Sequence, residues 1–354
     1  MTTALLAWEI GGGQGHLHKL ATIAHELKTC GIQPVFALKN CQIKGLTLRG
    51  KVIQAPQATF KALDDRGDNK AYFYTDILYM FGFSSSLTLD FHFKAWQSVI
   101  NIVQPSLIIT DHAPALILAA KGRIPTIVIG SGFTVPPAIE NFPPIRSSPI
   151  PNEAIKRCQI VAENVKKVTG FHAPLGYLLN GDRSFIFGIP QLDPYADVRD
   201  KTEYMGIHSA PFPQNLWDEN GKAWAYLMDN WNYRDLVIDT FKANDDFGDL
   251  KYILKGKSFA LHHASFGISM TCLLAGIPQL VFAKDLETSL TAKRLIDLGV
   301  AIAILQPFTR ETLLEATAYL PQISKNAQQK AKQLAYWNQS FLDTIIQSCL
   351  EFVD

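Results

Sequence analysis

The sequence predicts an α/β protein with two Rossmann-like domains, each a parallel sheet flanked by helices. Three observations support this fold class. The 354 residues exceed the usual size of a single hydrophobic core. Short apolar runs alternate with stretches of helical periodicity, a pattern typical of repeated β-α-β units. Two of the apolar runs lead through a turn of small residues directly into a helix.

In the first half, short apolar runs predict strands, and apolar residues three and four positions apart predict helices. The predicted strands cover residues 4–9, 34–38, 107–110 and 126–129. The predicted helices cover residues 17–28, 89–103, 113–121 and 153–168. Prolines in 133–151 predict an irregular loop there, and the stretch 40–86 is also expected to be largely irregular.

The second half repeats the alternation after a polar, proline-rich stretch at 188–218, which we interpret as a linker. Its predicted strands cover residues 223–228, 259–263, 279–282 and 301–305. Its predicted helices cover 236–242, 268–275, 289–298 and 310–318, followed by one or two helices in 324–352. We therefore expect an N-terminal domain at 1–205, a C-terminal domain at 206–330, and a helix within 331–354 that packs back on the first domain.

Composition excludes several classes of protein. The 33 basic and 32 acidic side chains give a net charge of +1, which offers no electrostatic reason to expect nucleic acid or an anionic membrane as partner. No apolar run reaches the ~18 residues of a membrane-spanning helix. The five cysteines form no C-x-x-C pair, which favours free thiols in a reducing compartment. We expect a cytoplasmic protein.

The first candidate site follows the first predicted strand, where GGGQGH at 11–16 opens a helix. Glycines let backbone N–H groups approach a ligand, and a helix N-terminus attracts negative charge. A dinucleotide fingerprint is disfavoured, because its third glycine falls on His16 and the second strand ends in Lys39 without an acid. Asp111 ends a later strand of the same sheet and could orient the His16 imidazole. Either residue could instead cap a helix.

The second candidate site is another strand-turn-helix junction, LHHASFGIS at 261–269. Small residues after the strand would let a phosphate approach the helix N-terminus, with His263 as a hydrogen-bond donor. The alternative is that His262 and His263 are merely packed or solvated residues at a strand end. A metal site with His262 and His263 as a ligand pair is disfavoured, because neighbouring residues on a strand point to opposite faces. The remaining histidines show no special spacing and are interpreted as structural or surface residues: His18, His25, His92, His112, His172 and His208.

Four segments resemble UDP-glycosyltransferase-like enzymes. HHASFGISMTCLLAGIPQLVF resembles their HHGGxGT…AGxPQLV segment, and the alignment extends without gaps into LETSLTAKRLIDLG, which resembles (D/E)Q-x-x-NAxRxxxLG. GGGQGHLHKLATIAHELKTCGIQPVFA resembles their GxGH-x-x-x…ALxxxGHxVxF opening. TDHAPALILAAKGRIPTIVI resembles their PDLVxxDxxxxxAxxxAxxxxIPxV stretch. The resemblance therefore covers both predicted domains.

This resemblance implies the two-domain GT-B fold and transfer of a sugar from a nucleotide-sugar to a hydroxyl of a small or lipid-like acceptor. Transfer would be inverting and independent of metal, and no cofactor is implied because the nucleotide-sugar is a substrate. His16 would be the general base and Asp111 the residue that orients it. The implied donor-binding residues are Gly13, Gly15, His263, Ser265, Gly267, Ser269, Glu287 and Thr288.

The sequence departs from the family pattern in the C-terminal domain. Ala264 and Ser265 replace two glycines, Ile268 replaces a threonine, and Thr288 replaces a glutamine. The interval 229–258 is short by about one β-α-β unit, roughly 30 residues, so the domain is expected to be reduced. These departures favour an alternative: a degenerate glycosyltransferase-like protein that binds a ligand or helps a partner. A nicotinamide-dependent oxidoreductase is a weaker third alternative, and a homo-oligomer or a partner protein remains possible.

Overall fold

A computed structural model describes residues 2–12, 15–41, 46–63, 70–146, 148–200, 204–207, 221–246, 248–338 and 342–353. The chain divides into two compact units. The first comprises Met1–Phe187, Tyr195–Glu203 and Leu342–Asp354. The second comprises Gly188–Pro194 and Tyr204–Phe341.

The first unit contains a six-stranded parallel sheet. Its strands are β1 (Thr3–Trp8), β2 (Gln33–Leu38), β3 (Lys51–Gln54), β4 (Leu107–Asp111), β5 (Thr126–Gly130) and β6 (Arg183–Ile186). The spatial order is β3-β2-β1-β4-β5-β6. The order reverses between β1 and β4, which is where open α/β sheets place ligands, beyond the carboxyl ends of the strands. Both strands are almost wholly buried, as expected for the centre of a covered sheet.

Helices connect these strands and cover the sheet. They are α1 (Gly15–Thr29), α2 (Tyr74–Met80), α3 (Ser86–Val103), α4 (Pro114–Ala120), α5 (Asn152–Thr169) and α6 (Leu175–Leu178). The buried stripe of α1 includes Leu20, Ile23 and Leu27, at the helical spacing that the sequence predicts. Gly31 follows this helix with a φ of +82°, a left-handed conformation that glycine adopts without steric cost.

The second unit contains a four-stranded parallel sheet in the order β10-β9-β8-β7. Its strands are β7 (Lys222–Tyr226), β8 (Lys257–His262), β9 (Gln279–Val281) and β10 (Ala301–Ala303). Its helices are α7 (Arg234–Phe241), α8 (Leu250–Ile253), α9 (Phe266–Ala275), α10 (Leu286–Asp297), α11 (Arg310–Thr317) and α12 (Leu320–Gln333). The last helix of the chain, α13 (Leu342–Leu350), packs on α1 of the first unit.

The short interval between β7 and β8 leaves no gap in the second sheet, because these two strands pair directly. The other side of β7 is an edge, and unpaired strand edges invite association with other chains. Asn244 covers part of it: its N–H donates to the Ala223 carbonyl at 3.1 Å and its carbonyl accepts from Ala225 N–H at 2.7 Å. The sheet therefore pairs continuously across the short interval, and Asn244 satisfies part of the β7 edge.

The sequence predictions miss four helices and strands of the first unit. β3 and α2 lie in the stretch expected to be irregular, and α6 and β6 lie between the predicted helix at 153–168 and the expected linker. β3 is short and mostly exposed, so it lacks the apolar run that marks a buried strand. The expected linker contains 3₁₀ helices at Pro190–Leu192 and Ala196–Val198, and its part at 208–220 lies outside the described residues. No helix among the described residues is long and apolar enough to cross a membrane.

Candidate functional site

The first site lies at the carboxyl ends of β1 and β4, where the strand order reverses. Asp111 is the last residue of β4 and pairs in register with Trp8, the last residue of β1. His16 is the second residue of α1, and its Nδ1 lies 2.8 Å from Asp111 Oδ1. This distance is within the range of 2.6–3.2 Å, roughly, that a base and its orienting group require. The sheet therefore brings together the two residues that the sequence singled out.

The alternative role of Asp111 as a helix cap does not describe this geometry. The residue at the N-cap of α4 is Ala113, which offers no side-chain cap. The Asp111 carboxylate is fully buried and lies instead against His16 and Lys19. Burial alone would raise its pKa, but the charges and hydrogen bonds of these two neighbours outweigh burial and hold the pKa well below its usual range. Asp111 is therefore ionised.

Lys19 is a member of this site that sequence reasoning missed. Its Nζ lies 2.7 Å from Asp111 Oδ2, so each carboxylate oxygen faces one basic side chain. Lys19 follows His16 by three positions, which places both side chains on one face of α1. Its ammonium group also lies 5.9 Å from the centre of the Phe187 ring. The i, i+3 spacing was available in the sequence, but it carried no signal without the position of Asp111.

Aromatic and glycine contacts hold the His16 ring. Trp8 stacks on it, with ring centroids 5.3 Å apart and an interplanar angle of 18°. Gly11 adopts a φ of +96°, and a Cβ there would lie 3.0 Å from His16 Nε2. Position 130 also requires glycine, because a Cβ there would lie 2.2 Å from Thr134 Oγ1 and 3.2 Å from Asp111 Oδ1. The glycine that approaches His16 is thus Gly11, which the sequence did not single out as a binding residue.

His112 is a second imidazole beside His16, and sequence reasoning assigned it only a structural or surface role. The two ring centroids are 6.2 Å apart, and the His112 backbone has a left-handed φ of +52°. The ring is buried, and neither ring nitrogen has a hydrogen-bond partner among the described residues. Burial is the main cause that lowers the pKa of His112 to about 3. A neutral, unsatisfied imidazole therefore faces this site.

The second site lies at the carboxyl ends of β8 and β9. His263 follows β8 directly, and its Nδ1 lies 2.9 Å from the Phe282 carbonyl oxygen just beyond β9. Its Nε2 accepts a hydrogen bond from Met228 N–H at 3.2 Å. The Nδ1–H tautomer follows, since Nε2 is an acceptor. Trp231 packs edge-on against the ring at 4.8 Å between centroids. Both nitrogens of His263 thus already have partners within the second unit.

His262 is bonded in the same way. Its Nδ1 accepts from Ala264 N–H at 3.0 Å, and its Nε2 lies 3.0 Å from Gln279 Oε1. Burial is the main cause that lowers the pKa of His262 to about 3, and burial also lowers the pKa of His263. Both residues are therefore neutral imidazoles, and neither supplies a positive charge to a phosphate.

The turn and helix after His263 carry three of the expected donor-binding residues, Ser265, Gly267 and Ser269. Ser265 is the N-cap residue of α9 but makes no side-chain cap, and Gly267 is exposed with open space where a Cβ would stand. Ser269 Oγ is buried without a hydrogen-bond partner in the described part of the chain. Ile268 packs against the apolar cluster around Trp224, which explains an isoleucine at this position.

The expected sugar contacts, Glu287 and Thr288, lie in the first turn of α10 at the same edge of the sheet. Thr288 has a local role: its N–H donates to Asp285 Oδ1 at 2.9 Å, and its hydroxyl lies 2.7 Å from that oxygen. The hydroxyl oxygen also accepts from the N–H groups of Lys284 and Asp285, each at 3.0 Å. Its hydroxyl is therefore committed to capping the helix.

Two expected donor contacts belong to the first unit. Gly13 lies outside the described residues. Gly15 begins α1, and a Cβ at this position would meet no atom within 4 Å. Among the described residues, no group of three or more histidine, cysteine, aspartate and glutamate side chains could hold a metal ion.

The fold is shared with solved glycosyltransferases, although no family model and no curated protein matches the sequence. The calicheamicin glycosyltransferase CalG4 has a TM-score of 0.65 at 12% identity, covering 99% of this chain and 98% of that chain. Glycosyltransferase VinC, solved in complex with DTDP, has a TM-score of 0.64 at 13% identity, covering 99% of each chain. Glycosyltransferase SnogD from Streptomyces nogalater has a TM-score of 0.57 at 14% identity, covering 99% of each chain.

These similarities define the class of the fold: the chain has the GT-B fold, with two parallel α/β units. The predicted fold class is thereby confirmed over the full length of the chain.

Proposed function

We propose that this protein is a glycosyltransferase that moves a sugar from a nucleotide-sugar to a hydroxyl of a small or lipid-like acceptor, with inversion and without a metal. The observation that carries the proposal is the pair formed by His16 and the fully buried Asp111, 2.8 Å apart where the strand order reverses. The similarity to solved glycosyltransferases supports the same reaction class.

In the proposed reaction, Asp111 accepts a hydrogen bond from His16 Nδ1–H and so orients the ring. His16 Nε2 then takes the proton of the acceptor hydroxyl. The oxygen attacks the anomeric carbon as the bond from that carbon to the phosphate oxygen breaks. The nucleoside diphosphate leaves with the bonding electron pair, and this single displacement inverts the anomeric centre. Asp111 remains a carboxylate throughout, in keeping with its lowered pKa.

On the donor side, the proposed phosphate contacts are the N-terminus of α9 with Ser265, Gly267 and Ser269. A helix N-terminus attracts anions without any side chain, and the unpartnered Ser269 hydroxyl can donate. Glu287 would bind sugar hydroxyls. His263 and Thr288 would contribute only if their present hydrogen bonds were exchanged for bonds to the donor. Gly13 and Gly15 are also proposed as donor-binding residues, on the resemblance of their segment to the family pattern.

The second candidate function is that of a degenerate glycosyltransferase-like protein that binds a ligand or helps a partner. One observation favours it: both His263 nitrogens and the Thr288 hydroxyl are bonded within the second unit. The proposed setting for either function is the cytoplasm, consistent with five free cysteines.

Two measurements on the full chain separate these functions. Product formation from UDP- and dTDP-sugars with a panel of hydroxyl acceptors tests the transfer itself. Thermal shift with UDP, dTDP and GDP tests the donor site, because a ligand at a hundred times its dissociation constant stabilises by ~2.7 kcal/mol. Transfer abolished by His16→Ala supports the enzyme. If the protein shows no transfer and no thermal shift with any of these nucleotides, the enzyme is contradicted and the degenerate protein is favoured.

A further inference from the structure

The buried carboxylate of Asp111 is shared between two basic side chains on one helix. His16 Nδ1 lies 2.8 Å from one oxygen and Lys19 Nζ lies 2.7 Å from the other. Asp111 has no exposed surface, whereas 22% of the Lys19 side chain is exposed. The carboxylate is therefore screened little by water, and its interaction with each neighbour depends strongly on the other.

The other charged and titratable groups near His16 do not replace Lys19. Lys39 Nζ donates to the Gly11 carbonyl oxygen at 2.6 Å, and burial lowers its pKa. His112, 6.2 Å from His16 between ring centroids, is neutral at physiological pH. The Glu9 carboxyl group follows β1, but it accepts from Leu116 N–H at the start of α4 and burial raises its pKa. Tyr74 lies behind His112, and burial raises its pKa as well.

We propose that Lys19 is a positioning residue that acts through Asp111: it holds the carboxylate in line with His16 and weakens the pull of that carboxylate on the His16 proton. The role of this effect in catalysis rests on the proposed function of His16 as the base. An imidazole beside an uncompensated buried carboxylate would keep its proton to higher pH. A protonated His16 cannot accept the proton of an acceptor hydroxyl. We therefore expect loss of the Lys19 charge to increase the protonated fraction of His16 and so to reduce the fraction that can act as the base.

Two roles of Lys19 can be told apart by removing its charge. If Lys19 only stabilised the fold through an ion pair, its loss would change the melting temperature and leave the titration of His16 unchanged. If Lys19 sets the proton affinity of His16, its loss would shift that titration. Lys19→Met removes the charge and keeps most of the side-chain volume. Lys19→Gln removes the charge and keeps a donor for Asp111 Oδ2. Lys28→Met is the matched control, because Lys28 is an exposed lysine in the last turn of the same helix.

The test is a proton titration of the His16 imidazole by NMR in the full chain, with His16→Gln identifying its signal. Lys19→Met and Lys19→Gln should each raise the His16 pKa by about one unit or more, the size expected for loss of a charge near a shared carboxylate. Lys28→Met should leave it within about 0.2 units, since the exposed charge is screened. An unchanged His16 pKa in a folded Lys19 variant overturns the proposal, and Lys19→Gln provides that readout if Lys19→Met does not fold.

The titration needs no substrate, so its result is independent of whether sugar transfer occurs. If wild-type protein transfers sugar, the acidic limb of kcat/KM should move to higher pH in both Lys19 variants by the same amount as the His16 pKa. A shift in titration without any transfer by the wild type would reject the proposed function and retain the coupling. Transfer by the wild type with a pH profile that Lys19→Gln leaves unmoved would reject the coupling and retain the function.

Discussion

The two candidate sites share one local architecture but use their histidines in opposite ways. In each unit a buried strand ends, a short turn follows, and a helix begins with a histidine nearby. His16 in the first unit has one ring nitrogen against a buried carboxylate, and its other nitrogen has no partner among the contacts of the described residues. His263 in the second unit has hydrogen-bond partners at both nitrogens. The first ring can act on a substrate, whereas the second already binds its own chain.

The difference comes from what the neighbouring strand supplies. β4 ends in Asp111, whose carboxylate contacts His16 Nδ1, so that Nε2 has no partner among the contacts of the described residues. β9 leads to a backbone carbonyl, and the turn after β7 brings an N–H group to the opposite side of His263. Trp231, which lies in the short interval 229–258, packs against the same ring.

Removing the open imidazole should have the largest effect. We expect His16→Ala to lower turnover by ~10²–10⁴-fold, because it removes the general base, while donor affinity stays nearly unchanged. Steady-state kinetics with a nucleotide-sugar and an acceptor measure both quantities. His18→Ala is the control, since His18 lies exposed on the same helix. Turnover at the wild-type level in His16→Ala would show that another group is the base.

Acid should destabilise the protein through its buried neutral histidines. His112 and His262 have folded-state pKa values of about 3, below the ordinary value of 6.5. The unfolded chain therefore binds their protons first, so stability is intact above about pH 6.5 and falls as pH drops toward 3. The slope is on the order of 1.4 kcal/mol per pH unit for each such proton.

Urea unfolding between pH 7 and pH 4 measures this slope, and His262→Gln should make it shallower because glutamine does not titrate. An equal slope in wild type and His262→Gln would show that His262 is not held neutral in the folded state.

Nucleotide binding by the second unit is expected to be weak or absent compared with a complete enzyme of this fold. His263→Ala should lower the free energy of unfolding by ~1–3 kcal/mol, because it leaves the Met228 N–H and the Phe282 carbonyl without their partner. In calorimetric titration with UDP, dTDP and GDP, the affinity of this variant should differ little from that of the wild type. Micromolar affinity in the wild type that His263→Ala abolishes would contradict the closed description of this site.

A pair of glycine substitutions should give the smallest effects, with opposite signs. Gly11→Ala places a methyl group 3.0 Å from His16 Nε2 at a φ of +96°, so it should cost about 1–2 kcal/mol and disturb the His16 ring. At Gly267 a Cβ would meet no atom within 4 Å, and the residue lies at the start of a helix. Gly267→Ala should therefore be neutral or stabilise the protein by up to about 1 kcal/mol. Thermal unfolding compares them. Equal destabilisation would show that Gly267 is as constrained as Gly11.

The strand-helix alternation, the helical stripe of α1 and the strand ends that carry His16 and Asp111 could all be predicted from the sequence. Each depends on residues within a few positions of one another, which periodicity reports directly. Parallel strands then place their carboxyl ends at one edge, so the proximity of His16 and Asp111 could be expected before the structure was known. The short or exposed elements, such as β3, gave no such local signal.

The contacts of each histidine depend on residues that lie far away along the chain. The partner of Lys19 is Asp111, which is distant in sequence, and the bond from Met228 to His263 spans 35 positions. No local pattern encodes such contacts, because they arise when the sheets bring distant turns together. His112 shows the same point: its sequence neighbours gave it no role, and the fold buries it beside His16 without a partner for either ring nitrogen in the described residues. The local sequence pattern indicates which side chains reach the strand ends, whereas burial and long-range hydrogen bonds set which of them keep a ring nitrogen without a partner.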